Sequence, residues 1–321
     1  MKKRLGPAAV LLACVLWQGT TAVAQSPGPI PPGSVPVPKP APAVVEAPSV
    51  VAPKLDAPAK ALFGVKKDAA ALQARAIGFY ARGCLAGGKA LPINGKTWQV
   101  MRLSRNRNWG HPNLISLLER LSGQVVQQAG WRGLLVGDLA QPRGGPMLTG
   151  HASHQIGLDA DIWLTPMPER QLTREEREEI SATMVVAKDR RDIDPNVWTQ
   201  GHVAAIKAAA QDRDVERVLV NAAIKKALCR DARGDRSWLQ KVRPYWGHDY
   251  HMHVRIKCPA DSPSCQGQDA VVPGEGCGSE LDWWFRDSIL YPKPSTTPPK
   301  PKPPMTLAQL PPECRQVLLA P

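Results

Sequence analysis

Two stretches of this 321-residue chain are so rich in proline that they read as tethers or spacers rather than as parts of a domain, and they fix where a fold is expected. "SPGPIPPGSVPVPKPAPAVVEAPSVVAPKLDAP" (26–58) alternates proline with small residues, and "YPKPSTTPPKPKPPMTLAQLPP" (291–312) does the same near the C-terminus. Proline has no amide donor and a fixed φ, so such runs favour extended, solvated polyproline conformations. Residues 25–60 are expected to be a linker and 291–321 a proline-rich tail. The remaining span, 61–290, holds no internal linker or repeat and is expected to form one catalytic-size domain.

Ahead of the linker, "MKKRLGPAAVLLACVLWQGTTAVAQ" joins a basic tip to an apolar run and a small-residue cleavage pattern ending at Ala24. Residues 1–24 are therefore expected to be a secretory signal peptide. A lipobox reading of "LLAC" at Cys14 competes and fits less well, because the apolar run before it is short. No other stretch approaches the roughly 20 apolar residues of a membrane helix, so no transmembrane segment is expected. Export gives the remaining six cysteines meaning: Cys84, Cys229, Cys258, Cys265, Cys277 and Cys314 form an even set suited to an oxidising compartment. Fifteen pairings are open to six cysteines. The turn-rich "PADSPS" between Cys258 and Cys265 could be closed locally, and the lack of a Cys-x-x-Cys pair weighs against a zinc knuckle.

A formal charge of +13, three of it from Lys2, Lys3 and Arg4 in the leader, points to an anionic partner or a merely solvated basic surface. An exported chain meets cell-wall polymer or membrane surface more readily than nucleic acid, so no nucleic-acid partner is expected.

Three of the seven histidines lie in "WGHDYHMHVR": His248, His251 and His253. A single histidine is usually a half-buried polar residue satisfied by backbone. Here "HMHVRI" reads as a strand, on which His251 and His253 share one face and Met252 and Val254 the other. Two adjacent imidazoles repel when charged and are costly to bury unpaired, whereas a divalent metal gives them a reason to converge. A hundred residues upstream, "GHASHQIGLDADIWL" contributes His151, His154, Asp159 and Asp161. If "LDADIWL" is a strand, Asp159 and Asp161 share a face; exposed aspartates at a sheet edge are the plainer alternative, outweighed by the four histidines.

Around these segments, "NLISLLERLSGQVVQQAG" has helical leucine spacing, "LLVGDLA" reads as a buried strand, and "QPRGGPMLTG" as a flexible loop delivering His151. "TREEREEISATMVVA", "HVAAIKAAAQD" and "AAIKKALC" read as helices and "VERVLVN" as a strand. The expected fold is α+β, a small, mainly antiparallel sheet covered by helices, with a zinc site on the sheet.

His154, then Asp161, then a distant His251-x-His253 resembles the zinc signature of metallopeptidases that include lysostaphin-type endopeptidases and D-Ala-D-Ala dipeptidases. Over residues 75–290, "GDLAQPRGGPMLTGHASHQIGLDADIWL", "VNAAIKKALCRDARGDRSWLQKVRP", "HMHVRIKCPADSP" and "GCGSELDWWF" are similar to the penicillin-insensitive murein endopeptidase family. The resemblance implies a periplasmic zinc (Zn2+) enzyme acting on peptidoglycan cross-link peptides at the D-alanyl to meso-diaminopimelyl bond. It implies His154, Asp161 and His253 as zinc ligands, His251 and His248 as catalytic histidines, and His151 as a further residue able to bind metal. Related dipeptidases use a glutamate base; none precedes His251 here, which leaves the base open between His248 and His251. A second metal site would draw on carboxylates near Asp189 and Asp192, where the local match is weak. The resemblance also implies disulfides Cys84–Cys314, Cys229–Cys277 and Cys258–Cys265, the first making the C-terminal tail a strap.

Trp163, Trp246, Trp283 and Trp284 are expected to pack in the core rather than stack on glycan. Two other functions stay in view: a zinc D,D-carboxypeptidase or dipeptidase on free muropeptides, and a non-enzymatic wall-binding module with structural zinc. Oligomeric state is not legible.

Overall fold

The computed structural model describes residues 53–293 and 302–321. The expected signal peptide, most of the linker and part of the proline-rich tail lie outside the described residues. No helix among the described residues is long and apolar enough to cross a membrane.

Along the chain, helix α1 (Ala59–Phe63) precedes the hairpin β1 (Arg75–Phe79) and β2 (Arg82–Ala86). Short strands β3 (Lys89–Ala90), β4 (Trp98–Val100) and β5 (Trp109–Gly110) lead to helix α2 (Pro112–Ala129). Strands β6 (Leu134–Val136) and β7 (Asp159–Trp163) follow, then helices α3 (Arg174–Glu179) and α4 (Gln200–Gln211). Strand β8 (Val215–Val220), helix α5 (Ala222–Asp231), β9 (Val242–Pro244) and β10 (His251–Ile256) complete the central layer. Three short helices, α6 (Ser279–Asp282), α7 (Asp287–Leu290) and α8 (Glu313–Leu319), end the fold.

The leucine spacing of "NLISLLERLSGQVVQQAG" becomes α2, and its ends are specified chemically. His111 caps it by accepting the Asn113 amide at Nδ1 (3.2 Å), Pro112 occupies the first turn, and Gly130 closes it with φ 68°. Its buried face, Leu114, Leu117, Leu118, Leu121 and Val125, packs against α4 and the sheet.

The central sheet has six strands in the order β4-β6-β7-β10-β8-β9. It is mixed: β6, β7, β10 and β8 pair antiparallel, while β4–β6 and β8–β9 are parallel. This corrects the expectation of a small, mainly antiparallel sheet. Each parallel pair is joined by a helical crossover, through α2 or α5, as parallel neighbours require. Strands β4 and β9, three residues each, are too short to show an alternation in sequence.

Two further expectations change. "TREEREEISATMVVA" is helical only over Arg174–Glu179; the capping box of Thr173 and Glu176 starts it, and Ile180 leaves in extended conformation (ψ 127°). The β-branched and small residues after Glu179 run non-helically beside the site described below. The first part of the "QPRGGPMLTG" loop is packed, with the Gln141 side-chain amide donating to the Gly144 and Pro146 carbonyls (2.8 and 3.1 Å), while Leu148 to Gly150 are exposed. Gly145 (φ 76°) lies so close to Phe63 that a Cβ would sit 2.4 Å from its ring.

Three disulfides, Cys84–Cys314, Cys229–Cys277 and Cys258–Cys265, tie the periphery. At the first, α8 joins α1 and the β1–β2 hairpin in a small second core of Phe63, Ile77, Leu307, Leu310, Val317 and Leu318. Buried Arg143 donates to the Val317, Leu318 and Ala320 carbonyls (2.9, 3.1 and 2.6 Å), satisfying the exposed end of that helix.

Candidate metal centre

Strands β7 and β10 are neighbours, and their register sets Asp161 opposite His253, Trp163 opposite His251 and Asp159 opposite Arg255. Alternation sends Ala160, Ile162, Met252 and Val254 into the main core and the polar residues to the other face. Both strands are buried throughout, so these polar groups need partners.

The donors converge on the Asp161 carboxylate. His253 Nδ1 lies 3.0 Å and His154 Nε2 3.4 Å from Asp161 Oδ1, with His251 Nε2 at 3.6 Å. His151 Nδ1 lies 3.4 Å from Asp161 Oδ2. Neither ring nitrogen of fully buried His154, nor Asp161 Oδ1, has a hydrogen-bond partner. Tetrahedral zinc with bonds of about 2.0–2.2 Å holds its ligands about 3.3–3.5 Å apart; the His154 and His151 contacts fall in that range, and those of His253 and His251 lie just to either side of it. The donor set therefore fits a divalent metal, and the orphaned atoms are what a metal would satisfy.

Donor atoms of His151, His154 and Asp161 lie within 4.8 Å of one another. His253 also meets Asp161, at 3.0 Å, and its ring, like that of His151, is fixed from behind by an aspartate. His253 Nε2 donates to Asp159 Oδ1 (2.8 Å), which turns Nδ1 toward Asp161. Asp159 is itself held by Arg255 Nε (2.6 Å) and the His154 backbone amide (3.2 Å). Such a carboxylate behind a ligating histidine orients the ring and raises its basicity. His151 is oriented in the same way by Asp138 (3.1 Å), which Arg107 and Arg105 hold in turn (2.8 and 3.0 Å).

Electrostatics favour positive charge at the centre. Burial opposes ionisation of Asp161, yet the surrounding histidines hold its pKa well below the usual carboxylate range, and Asp159 is likewise lowered by Arg255 and His253. Burial disfavours charge on His253, but the two aspartates raise its pKa to about 9. His251 is pushed down to about 4 by burial, with His248 and His253 adding repulsion, and His248 is lowered by burial. His248 Nδ1 donates to the Trp246 carbonyl (2.8 Å), and its ring lies 4.6 Å from that of His251.

His154 and His248 both have left-handed backbones (φ 66° and 58°). That conformation costs a non-glycine residue about 1–2 kcal/mol, a strain that clusters at functional sites.

A cleft opens on each side. One, of about 360 Å³, is lined by Arg102, Arg105, Trp163, Met184, Tyr250 and His251 among others. The second, of about 430 Å³, includes Tyr80, Arg217, Arg243, Tyr245, His248 and His253. His151 borders both.

The structure thus gathers His151, His154, Asp161, His248, His251 and His253. Asp189 and Asp192 join no converging group among the described residues; Asp192 pairs with Arg230 (2.9 Å) and Lys226 (3.4 Å). Asp138 escaped the sequence reading because it follows β6 in a loop with no periodicity. Of the tryptophans, Trp163 is buried, but Trp246 and Trp283 are 50% and 38% exposed, which corrects the expectation that they pack in the core.

The family described as penicillin-insensitive murein endopeptidase matches the chain over residues 76–319. A protein of Haemophilus influenzae with that name is 48% identical over 252 residues, 78% of this chain and 84% of its own. Another so named, from Salmonella newport, is 45% identical over 245 residues, 76% of this chain and 86% of its own.

Proposed function

The chain belongs to the penicillin-insensitive murein endopeptidase family, and from that premise we propose that it is a periplasmic, zinc-dependent D,D-endopeptidase cleaving D-alanyl–meso-diaminopimelyl cross-links of peptidoglycan. The observation that carries this reading is the turning of His151, His154 and His253 toward the Asp161 carboxylate between two open clefts. The D,D specificity rests on the family alone. Three disulfides and the leader sequence support export.

His154 Nε2, His253 Nδ1 and one Asp161 oxygen would hold the ion. Bound there, zinc would supply a water of pKa about 7 and polarise the scissile carbonyl. His251, whose Nε2 lies 3.6 Å from Asp161 Oδ1, is placed to accept the proton of the attacking water and return it to the leaving amine. His248, against the His251 ring and bordering the second cleft, steadies that transfer. No serine is acylated, so a β-lactam has nothing to trap.

Asp159 works through His253 and is a positioning residue. Asp159→Asn is expected to weaken zinc binding by about 10–100-fold while the protein remains folded. Competition with a calibrated chelator reads that shift; unchanged zinc affinity would contradict the role.

The endopeptidase reading is tested on purified protein with cross-linked muropeptide dimers and with monomers carrying free D-alanyl termini, each with chelator or penicillin. Conversion of dimer to monomer, blocked by chelator and indifferent to penicillin, is expected. Trimming of terminal D-alanine alone would make the protein a carboxypeptidase or dipeptidase. The proximity of His151 to Asp161 favours one further reading: as a fourth protein ligand it would close the shell and make the metal structural. Zinc bound tightly with both substrates left intact would select that one.

A further inference from the structure

The ladder rows that build the centre continue past it on the same sheet face. Asp161 stands opposite His253, His253 opposite Leu219, and Leu219 opposite Arg243. The neighbouring row runs from Asp159 to Arg255 to Arg217. Three arginines therefore share this face, and they are not equally satisfied. Arg255 is paired with buried Asp159, and its Cζ lies over the Tyr80 ring, 3.5 Å from the centroid. Arg217 makes no ion pair among the described residues; it donates to the Asp269 backbone carbonyl. Arg243 meets Glu280 at 2.8 Å, but that carboxylate is 48% exposed, and a pair of this kind leaves much of the cationic field uncancelled.

Arg217 and Arg243 border the second cleft together with Tyr245, Gln268 and His248, and no described aspartate or glutamate lines it. The first cleft differs, because Asp138 and Asp161 line it; there Arg105 is bound to Asp138, and Arg102 donates to the Arg177 and Ile180 carbonyls. Backbones of Arg243 and His253 are two strand spacings apart, about 10 Å, a distance that a long arginine side chain and a short ligand can bridge.

We propose that the second cleft is a carboxylate-recognising subsite, in which Arg217 and Arg243 bind the free carboxylate on the leaving-amine side of the cleaved bond. The inference rests on the murein reading for its ligand. In a D-alanyl–diaminopimelyl link, the carbon that bears the amide nitrogen also bears a carboxylate that cross-linking leaves free. Seating that carboxylate beside Arg217 and Arg243 puts the amine half of the substrate on the His248 side and the acyl half toward Trp163 and Tyr250. Recognition of this group also separates the target bond from an ordinary peptide bond, whose nitrogen-bearing carbon carries an amide.

The test compares two cross-linked dimers, one with this carboxylate free and one with it converted to carboxamide. Wild-type enzyme is expected to favour the free acid in kcat/KM by on the order of tenfold or more, as for one charge-assisted hydrogen bond. In Arg217→Gln and Arg243→Gln the two dimers should converge, chiefly through a higher KM for the acid, with Arg217→Lys recovering part of the preference. Equal use of the two dimers by wild type, or a preference that survives in both glutamine variants, would overturn the assignment. Calorimetric binding of meso-diaminopimelate and its monoamide to the same proteins separates the two claims. If neither dimer is cleaved, a preference for the acid lost in the variants upholds the subsite while sinking the endopeptidase reading. Equal or absent binding in that case sinks both.

Discussion

Asp161→Ala is expected to abolish cleavage of cross-linked dimers, by on the order of a thousandfold or more, and to release the bound metal. Asp161 is the one carboxylate toward which four imidazoles turn, with Oδ1 within 3.6 Å of His253, His154 and His251. Its removal takes away the proposed anionic ligand and the one carboxylate that faces buried His154 Nε2 (3.4 Å). A bound cation supplies several kcal/mol to such a reaction, and each 1.36 kcal/mol lost is a factor of ten. Metal analysis of the purified variant beside its rate makes the check: a variant that keeps both zinc and turnover would remove Asp161 from the centre.

The second large effect concerns stability. Cys84 and Cys314 close a loop of sequence separation 230, whereas Cys258 and Cys265 are separated by 7. On chain entropy alone the long closure contributes about 5 kcal/mol and the short one about 2 kcal/mol. The Cys84→Ser/Cys314→Ser double variant should therefore melt well below the Cys258→Ser/Cys265→Ser variant. It should also expose α8 to proteolysis, because that helix is otherwise held by the small core around Phe63 and by Arg143. Equal melting temperatures in denaturant and heat would show that the C-terminal segment is held without its covalent tie.

Much of this site was legible as alternation. In "HMHVRI" and "LDADIWL" a period of two assigns which residues share a face, and the structure places those faces on neighbouring strands. The register that puts His253 opposite Asp161 was not legible, since it depends on pairing across ninety-odd residues. Asp138 and the strained backbone at His154 and His248 leave no periodic trace. Arg217 and Arg243 belong to no motif in the sequence, and only the ladder aligns them with the centre. The sheet was misjudged for a related reason: three-residue β4 and β9 carry too little pattern, yet they turn two helices into parallel crossovers. Helix α3 was overextended because the acidic first turn signals a start and nothing after Glu179 signals a stop.

The central claim is that the cluster around Asp161 is a metal centre that performs hydrolysis. It is tested most directly by stripping the protein with chelator and titrating zinc back, with bound metal and dimer cleavage followed in the same samples. Cleavage should return in proportion to zinc and reach its full value at one equivalent per chain, and His253→Ala should show neither tight zinc nor activity. Full cleavage by the stripped protein, or zinc bound at one equivalent with no return of cleavage, would contradict the account.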